Sequence, residues 1–175
     1  MLAVGADRYN IQGAVGALPI LYNEIVERAE LHDNFGVGEA DGEPVFIAVT
    51  RDDAGWPYLA LSLRCMPIAG FNPGVFLIPE TDVLLIGSGE RLLAYDLKAP
   101  RKLWEDSTMC GFWRWSRHAD IVLMSAELEL AAYSLQGERL WSRLVEPPWD
   151  YSISGAQIHL DVMGKKSEFS LVSGA

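Results

Sequence analysis

The chain has 175 residues, half of them hydrophobic, and its 24 acidic and 14 basic side chains leave a formal charge of −10 at pH 7. This length suits one domain with a real core, and the composition excludes a disordered chain. So acidic a surface repels nucleic acid and anionic lipid, and it leaves open a basic protein partner or plain solubility.

In chain order, MLAVGADRYNIQGAVGALPILYNE comes first. It has no basic leader, and Asp7, Arg8 and Pro19 break its apolar residues. It reads as neither signal peptide nor membrane span. A cytoplasmic location is therefore expected, with Cys65 and Cys110 as free thiols. Residues 1–18 are expected to be loosely ordered. In ILYNEIVERAELH (Ile20 to His32), Leu21, Ile25 and Ala29 form a helical stripe, while a strand pairing with PVFIAVT is equally compatible. DNFGVGEADGE (Asp33 to Glu43) reads as a loop. Its Gly36 and Gly38 do not make a dinucleotide fingerprint, because the third glycine is misplaced and no βαβ unit surrounds them. Residues 1–43 thus form a segment without assigned structure. EPVFIAVT, WPYLALSLR and GVFLIPE then read as strands joined at the turn compositions RDDAG and PIAGFNPG. They make 44–81 a possible diverged repeat.

From residue 82 the chain repeats itself. LLAYDLKAPRKLW (Leu92 to Trp104) and LAAYSLQGERLW (Leu130 to Trp141) nearly spell each other. Tyr95 and Tyr133 lie 38 apart, Trp104 and Trp141 37 apart, and a similar step leads to Phe169. The upstream runs DVLLIGSG, DIVLMSAE and QIHLDVMG also correspond. The copies are 82–119, 120–156 and a truncated 157–175. Each holds short apolar or alternating runs between turn residues, about four strands in roughly 37 residues, which is the signature of a propeller blade. The fold class is all-β and antiparallel: a partial or small β-propeller of blade-like four-stranded repeats, with a β-barrel or β-sandwich from the same meander as the alternative.

GSGERLLAYDLKAPRKLW resembles the pyrroloquinoline-quinone-type propeller repeat, with Ala94, Asp96 and Trp104 at the family's spacing and Pro100 where its turn glycine is usual. The second copy keeps Ala132 and Trp141, and Ser134 replaces the aspartate. The third keeps Ser170 and Gly174 and stops before any Trp. The resemblance spans residues 83–175 and implies that Trp104 and Trp141 pack between adjacent blades. It implies architecture only: no residue set that would hold the quinone or its metal is present, and no cofactor is expected.

Candidate chemistry is sparse. No Walker motif, nucleophile elbow or HExxH occurs. EDST (Glu105 to Thr108) offers carboxylates without a partner at a telling spacing. His118 with Asp120, and His159 with Asp161, each set an imidazole two residues from a carboxylate, so neighbouring blades could assemble them as a metal site. Solvated turn residues are the competing reading. GFWRWS and EPPWDYS place Trp113, Arg114, Trp115, Trp149 and Tyr151 at corresponding positions of consecutive copies. Strict alternation puts Trp113 and Trp115 on one face, and Phe112 and Arg114 on the other. These aromatics either pack between sheets or form a partner-binding patch, with Pro147 and Pro148 stiffening the loop.

The expected function is a non-enzymatic protein-binding or scaffold module. The alternatives are an enzyme, such as a metal-assisted hydrolase, and a small-ligand sensor. The third copy leaves Ser167 to Val172 with an open edge. Either the N-terminal segment covers it or a second molecule does, which makes the protein a monomer or a homodimer.

Overall fold

In the computed structural model the described residues are 2–6, 8–36, 42–51, 54–66 and 71–175. They form four sheets and one short helix. The first sheet contains β1 (Leu2–Ala6), β2 (Tyr9–Val15), β3 (Leu31–Asn34), β4 (Glu43–Arg51) and β5 (Leu59–Cys65), in the spatial order β1-β2-β4-β5-β3. Its neighbours are antiparallel except β3, which runs parallel to β5. The second sheet is the meander β6 (Gly74–Ile78), β7 (Val83–Ser88), β8 (Arg91–Asp96) and β9 (Arg101–Ser107). The third is β10 (Phe112–His118), β11 (Ile121–Ala126), β12 (Glu129–Ser134) and β13 (Arg139–Leu144). The fourth has three strands, β14 (Trp149–Ser154), β15 (Gln157–Val162) and β16 (Lys165–Ser170). The fold is all-β and blade-like, made of separate sheets rather than one barrel.

Burial explains why the strands read as they do. VLLIGS of β7 and IVLMSA of β11 are buried at every position, because these strands have a sheet on both faces. QIHLDV of β15 alternates, since Ile158, Leu160 and the half-buried Val162 face the neighbouring sheet. Three cores fill the gaps between the first and second, second and third, and third and fourth sheets. Among the described residues no core joins the first sheet to the fourth, so the sheets form an open stack. Both ends are capped, as a repeat stack requires. The outer face of the first sheet, at Phe46, Ala48 and Ala60, lies under α1 (Tyr22–Arg28), whose Tyr22, Ile25 and Val26 cover it. The outer face of the fourth sheet is polar.

Several expectations need correction. Residues 2–6 and 9–15 are strands of the first sheet, not a loose segment. ILYNEIVERAELH is a helix followed by a strand, and that strand pairs with β5 rather than with PVFIAVT. Of DNFGVGEADGE, residues 37–41, Gly38 among them, lie outside the described residues, while Asp33 and Asn34 belong to β3 and Glu43 to β4 rather than to a loop. The sheets are one strand out of phase with the sequence copies: β6, in the last part of 44–81, opens the second sheet, and β10, in 82–119, opens the third. Each sequence copy therefore bridges two sheets. The N-terminal strands do not reach β16, which has no strand on its outer side among the described residues.

The repeat has a physical basis in its turns. The Asp96 carboxylate accepts the backbone N–H of Lys98 and Ala99 after β8. Ser134 Oγ accepts those of Gln136 and Glu138 after β12, and Ser170 Oγ those of Val172 and Ser173 after β16. Aspartate and serine interchange here because either oxygen closes the same turn.

Candidate functional site

The candidate surface is built on β10 and β14, the first strands of the third and fourth sheets. Phe112 pairs with Ala126 and Arg114 with Ser125, so Trp113 is the extra residue of a β-bulge. The bulge overturns the strict alternation expected from the sequence. Phe112 and Trp115 share the face toward the second sheet, with ring centroids 5.4 Å apart. Trp113 is turned to the other side, where it stacks on Trp149 at 5.2 Å and 16°. Beyond the bulge, Arg114, Ser116 and His118 recur at period two, and all three meet Tyr151. The Arg114 guanidinium lies 5.9 Å from the Tyr151 ring centroid, Ser116 Oγ and Tyr151 Oη are 2.8 Å apart, and the His118 ring stands edge-on at 6.4 Å.

Exposure divides the five predicted contact residues. Trp113 is 37% exposed, and Arg114 is exposed. Trp149 is buried, with its Nε1 donating to Glu127 O at 2.9 Å, and Trp115 is packed into the core between the second and third sheets. Tyr151 is half-buried. The patch therefore reduces to Trp113 and Arg114, backed by Trp149 and Tyr151. Backbone pairing sets this division, and one inserted residue is invisible to a period-two reading.

The repeat positions lie between sheets. Tyr95 and Tyr133 are fully buried, and Phe169 nearly so. Tyr95 Oη donates to Asp33 Oδ2 at 2.7 Å. Its phenol pKa is raised far above the ordinary range, by burial first and then by the hydrogen bond to Asp33. Trp104 stacks on Tyr133 of the next sheet and Trp141 meets Phe169 edge-on. Both indoles are half-buried rather than fully so.

The two His/Asp pairs do not come together. His118 approaches the fourth sheet from its core side, through Tyr151. His159 lies on the opposite face, where its Nδ1 is 2.6 Å from Glu168 Oε1. Asp161 Oδ1 accepts the Gly164 N–H, closing a turn. Among the described residues no three His, Cys, Asp or Glu side chains converge on a metal position. Burial and the neighbouring Arg114 lower the pKa of His118, which favours a neutral ring against Tyr151. The His159 face forms an open depression of about 930 Å³ with Asp150, Asp161, Lys166 and Met163 on its lining.

Sequence reasoning missed one polar cluster. Ser62 Oγ lies 2.9 Å from His32 Nε2 and 3.1 Å from Tyr22 Oη. Ser62 is completely buried beneath α1, so no substrate reaches its oxygen, and the cluster ties the helix to the first sheet. Burial lowers the His32 pKa, against a smaller opposing effect of Asp33.

Cys65 and Cys110 are both free. Cys110 Sγ lies 2.9 Å from Glu127 Oε2, and this carboxylate is the main cause of a raised thiol pKa. Glu127→Gln is expected to speed alkylation of Cys110 near pH 8, because removing the charge favours the reactive thiolate. Buried Cys65 should stay slow in both proteins. Mass-spectrometric labelling rates check this, and an unchanged Cys110 rate contradicts it.

No protein-family model matches the chain, and no curated protein does. Solved structures do. The computationally designed Ika4 protein aligns over 54% of this chain at 13% identity and a TM-score of 0.41. BamB from Moraxella catarrhalis aligns over 74% at 17% identity and 0.40, and Hsv2 from Kluyveromyces lactis over 71% at 10% identity and 0.38. The chain spans 63%, 46% and 43% of the lengths of these three proteins. These neighbours are β-propellers, and BamB is a pyrroloquinoline-quinone-like one.

Proposed function

We propose that this protein is a non-catalytic protein-binding module that contacts its partner through Trp113 and Arg114. The observation behind this reading is the β10 bulge, which holds an indole and a guanidinium at the surface against Trp149 and Tyr151. Trp and Arg are the side chains most often found at binding hot spots, and rings already packed in place lose little freedom on binding. The partner is a protein, with basic character to match the charge of −10. The site of action is cytoplasmic, and the binding unit is a monomer or homodimer.

Affinity capture with the wild type, Trp113→Ala, Arg114→Glu and the remote control Lys98→Glu tests the reading. Both site variants are expected to lose the same captured proteins by tenfold or more, which corresponds to about 1.4 kcal/mol. Their circular dichroism should match the wild type, and Lys98→Glu should capture normally. A capture profile unchanged in both site variants rejects the proposal.

A further inference from the structure

The connections after β7, β9, β11, β13 and β15 lie at one end of the stack. Backbone bonds Thr108 N–H to Glu90 O, Glu127 N–H to Gly111 O, Val145 N–H to Leu128 O and Met163 N–H to Pro148 O knit them into one surface. Ser88 Oγ reaches Arg64 O at 3.4 Å and brings the end of β5 to the same place. Four described methionines divide sharply. Met124 is fully buried in the core between the second and third sheets. Met66, Met109 and Met163 are 53%, 59% and 63% exposed, each on a different connection, and all at this end. Leu144, 64% exposed, lies there too.

Three unbranched thioethers and a leucine held in water are costly unless something covers them. Methionine adapts its shape to varied apolar partners, which makes methionine-rich surfaces good receptors for helical segments. The charge around them selects the partner. Glu43 at the start of β4, and Glu90, Glu127 and Glu146 on the connections, take part in no ion pair among the described residues, whereas Arg91 is already paired with Glu105. Arg64 donates to the carbonyls of Gly36 and Gly42. The lysines at the start of β16 do not offset this acidity in a chain of charge −10.

We infer that this end is a docking surface for a cationic amphipathic segment, whose apolar face lies on Met66, Met109, Met163 and Leu144 while its lysines or arginines meet the surrounding glutamates. The surface adjoins the Trp113–Arg114 contact, since Trp113 stacks on Trp149 and Trp149 Nε1 donates to Glu127 O, but it uses different side chains.

The test is a titration of the chain carrying ¹³C-labelled methionine methyls. The probe is a Lys/Leu peptide of amphipathic helical pattern. Its controls are the same pattern in Glu/Leu and a Lys/Leu scramble of equal charge without an apolar face. Expected are saturable shifts of Met66, Met109 and Met163 with Met124 unmoved, none with the Glu/Leu peptide, and at least tenfold weaker binding of the scramble. A combined Met66→Gln, Met109→Gln and Met163→Gln variant should weaken the Lys/Leu peptide tenfold while Lys98→Glu, in the turn between β8 and β9, does not. Silent methyls, equal affinity for the scramble or unchanged affinity of the triple variant overturns the inference. So do methyl shifts on simple concentration without peptide, which give the surface to a second copy of the chain.

Discussion

Phe112→Ala is expected to destabilise the protein by about 3–5 kcal/mol, the range for a large ring removed from a core that cannot collapse. Phe112 is fully buried and joins the third sheet to the second. Its ring lies on two glycines. A Cβ on Gly87 would stand 2.4 Å from Phe112 ring carbons, and one on Gly74 2.8 Å. Gly87→Ala alone is therefore expected to cost about 1–3 kcal/mol by overpacking. The double variant should cost clearly less than the sum, because the added methyl enters the space the ring has left. A urea-denaturation cycle measures that coupling. Simple additivity would mean that something other than the ring confines Gly87. Against a typical total of about 5–15 kcal/mol, Phe112→Ala alone brings the fold near its limit.

The repeat was legible because it is chemical as well as numerical. Tyr95 and Tyr133 fill corresponding gaps between sheets, and Asp96, Ser134 and Ser170 close corresponding turns. The phase of the sheets was not legible. A sequence period has no natural starting point, and only hydrogen bonding shows that β6 and β10 belong with the strands that follow them. The five-stranded first sheet was hidden for another reason. β1 and β2 carry glycines and polar residues that dilute the strand signal, and β3 is only four residues long and pairs in parallel with β5. At the candidate surface, composition pointed to the aromatics, but the bulge at Trp113 decided which of them is exposed.

Trp104→Ala and Trp141→Ala are expected to cost similar free energy and yet to fail in different places. Trp104 Nε1 donates to Gly137 O at 2.6 Å, and its ring stacks on Tyr133 at 5.5 Å. Trp141 Nε1 donates to Leu171 O at 2.9 Å, and its ring meets Phe169 at 5.7 Å. Each indole thus fastens one sheet to the turn of the next. Both are half-buried, so each truncation should cost about 2–3 kcal/mol, short of the value for a fully buried Trp. In a stack whose layers touch only their neighbours, a weakened joint releases whatever lies beyond it. The joint at Trp104 has two sheets on either side, so its loss should lower protection across the whole chain. The joint at Trp141 holds only the fourth sheet. Trp141→Ala should therefore raise amide exchange in β14, β15 and β16 by tenfold or more while β4, β5 and β7 keep wild-type rates. Trp141→Phe should lie between, since it restores a ring but leaves Leu171 O without its donor, at a cost of about 1 kcal/mol. Hydrogen exchange followed by mass spectrometry resolves the two patterns. Equal exchange profiles in the two alanine variants would show that the four sheets unfold as one cooperative block.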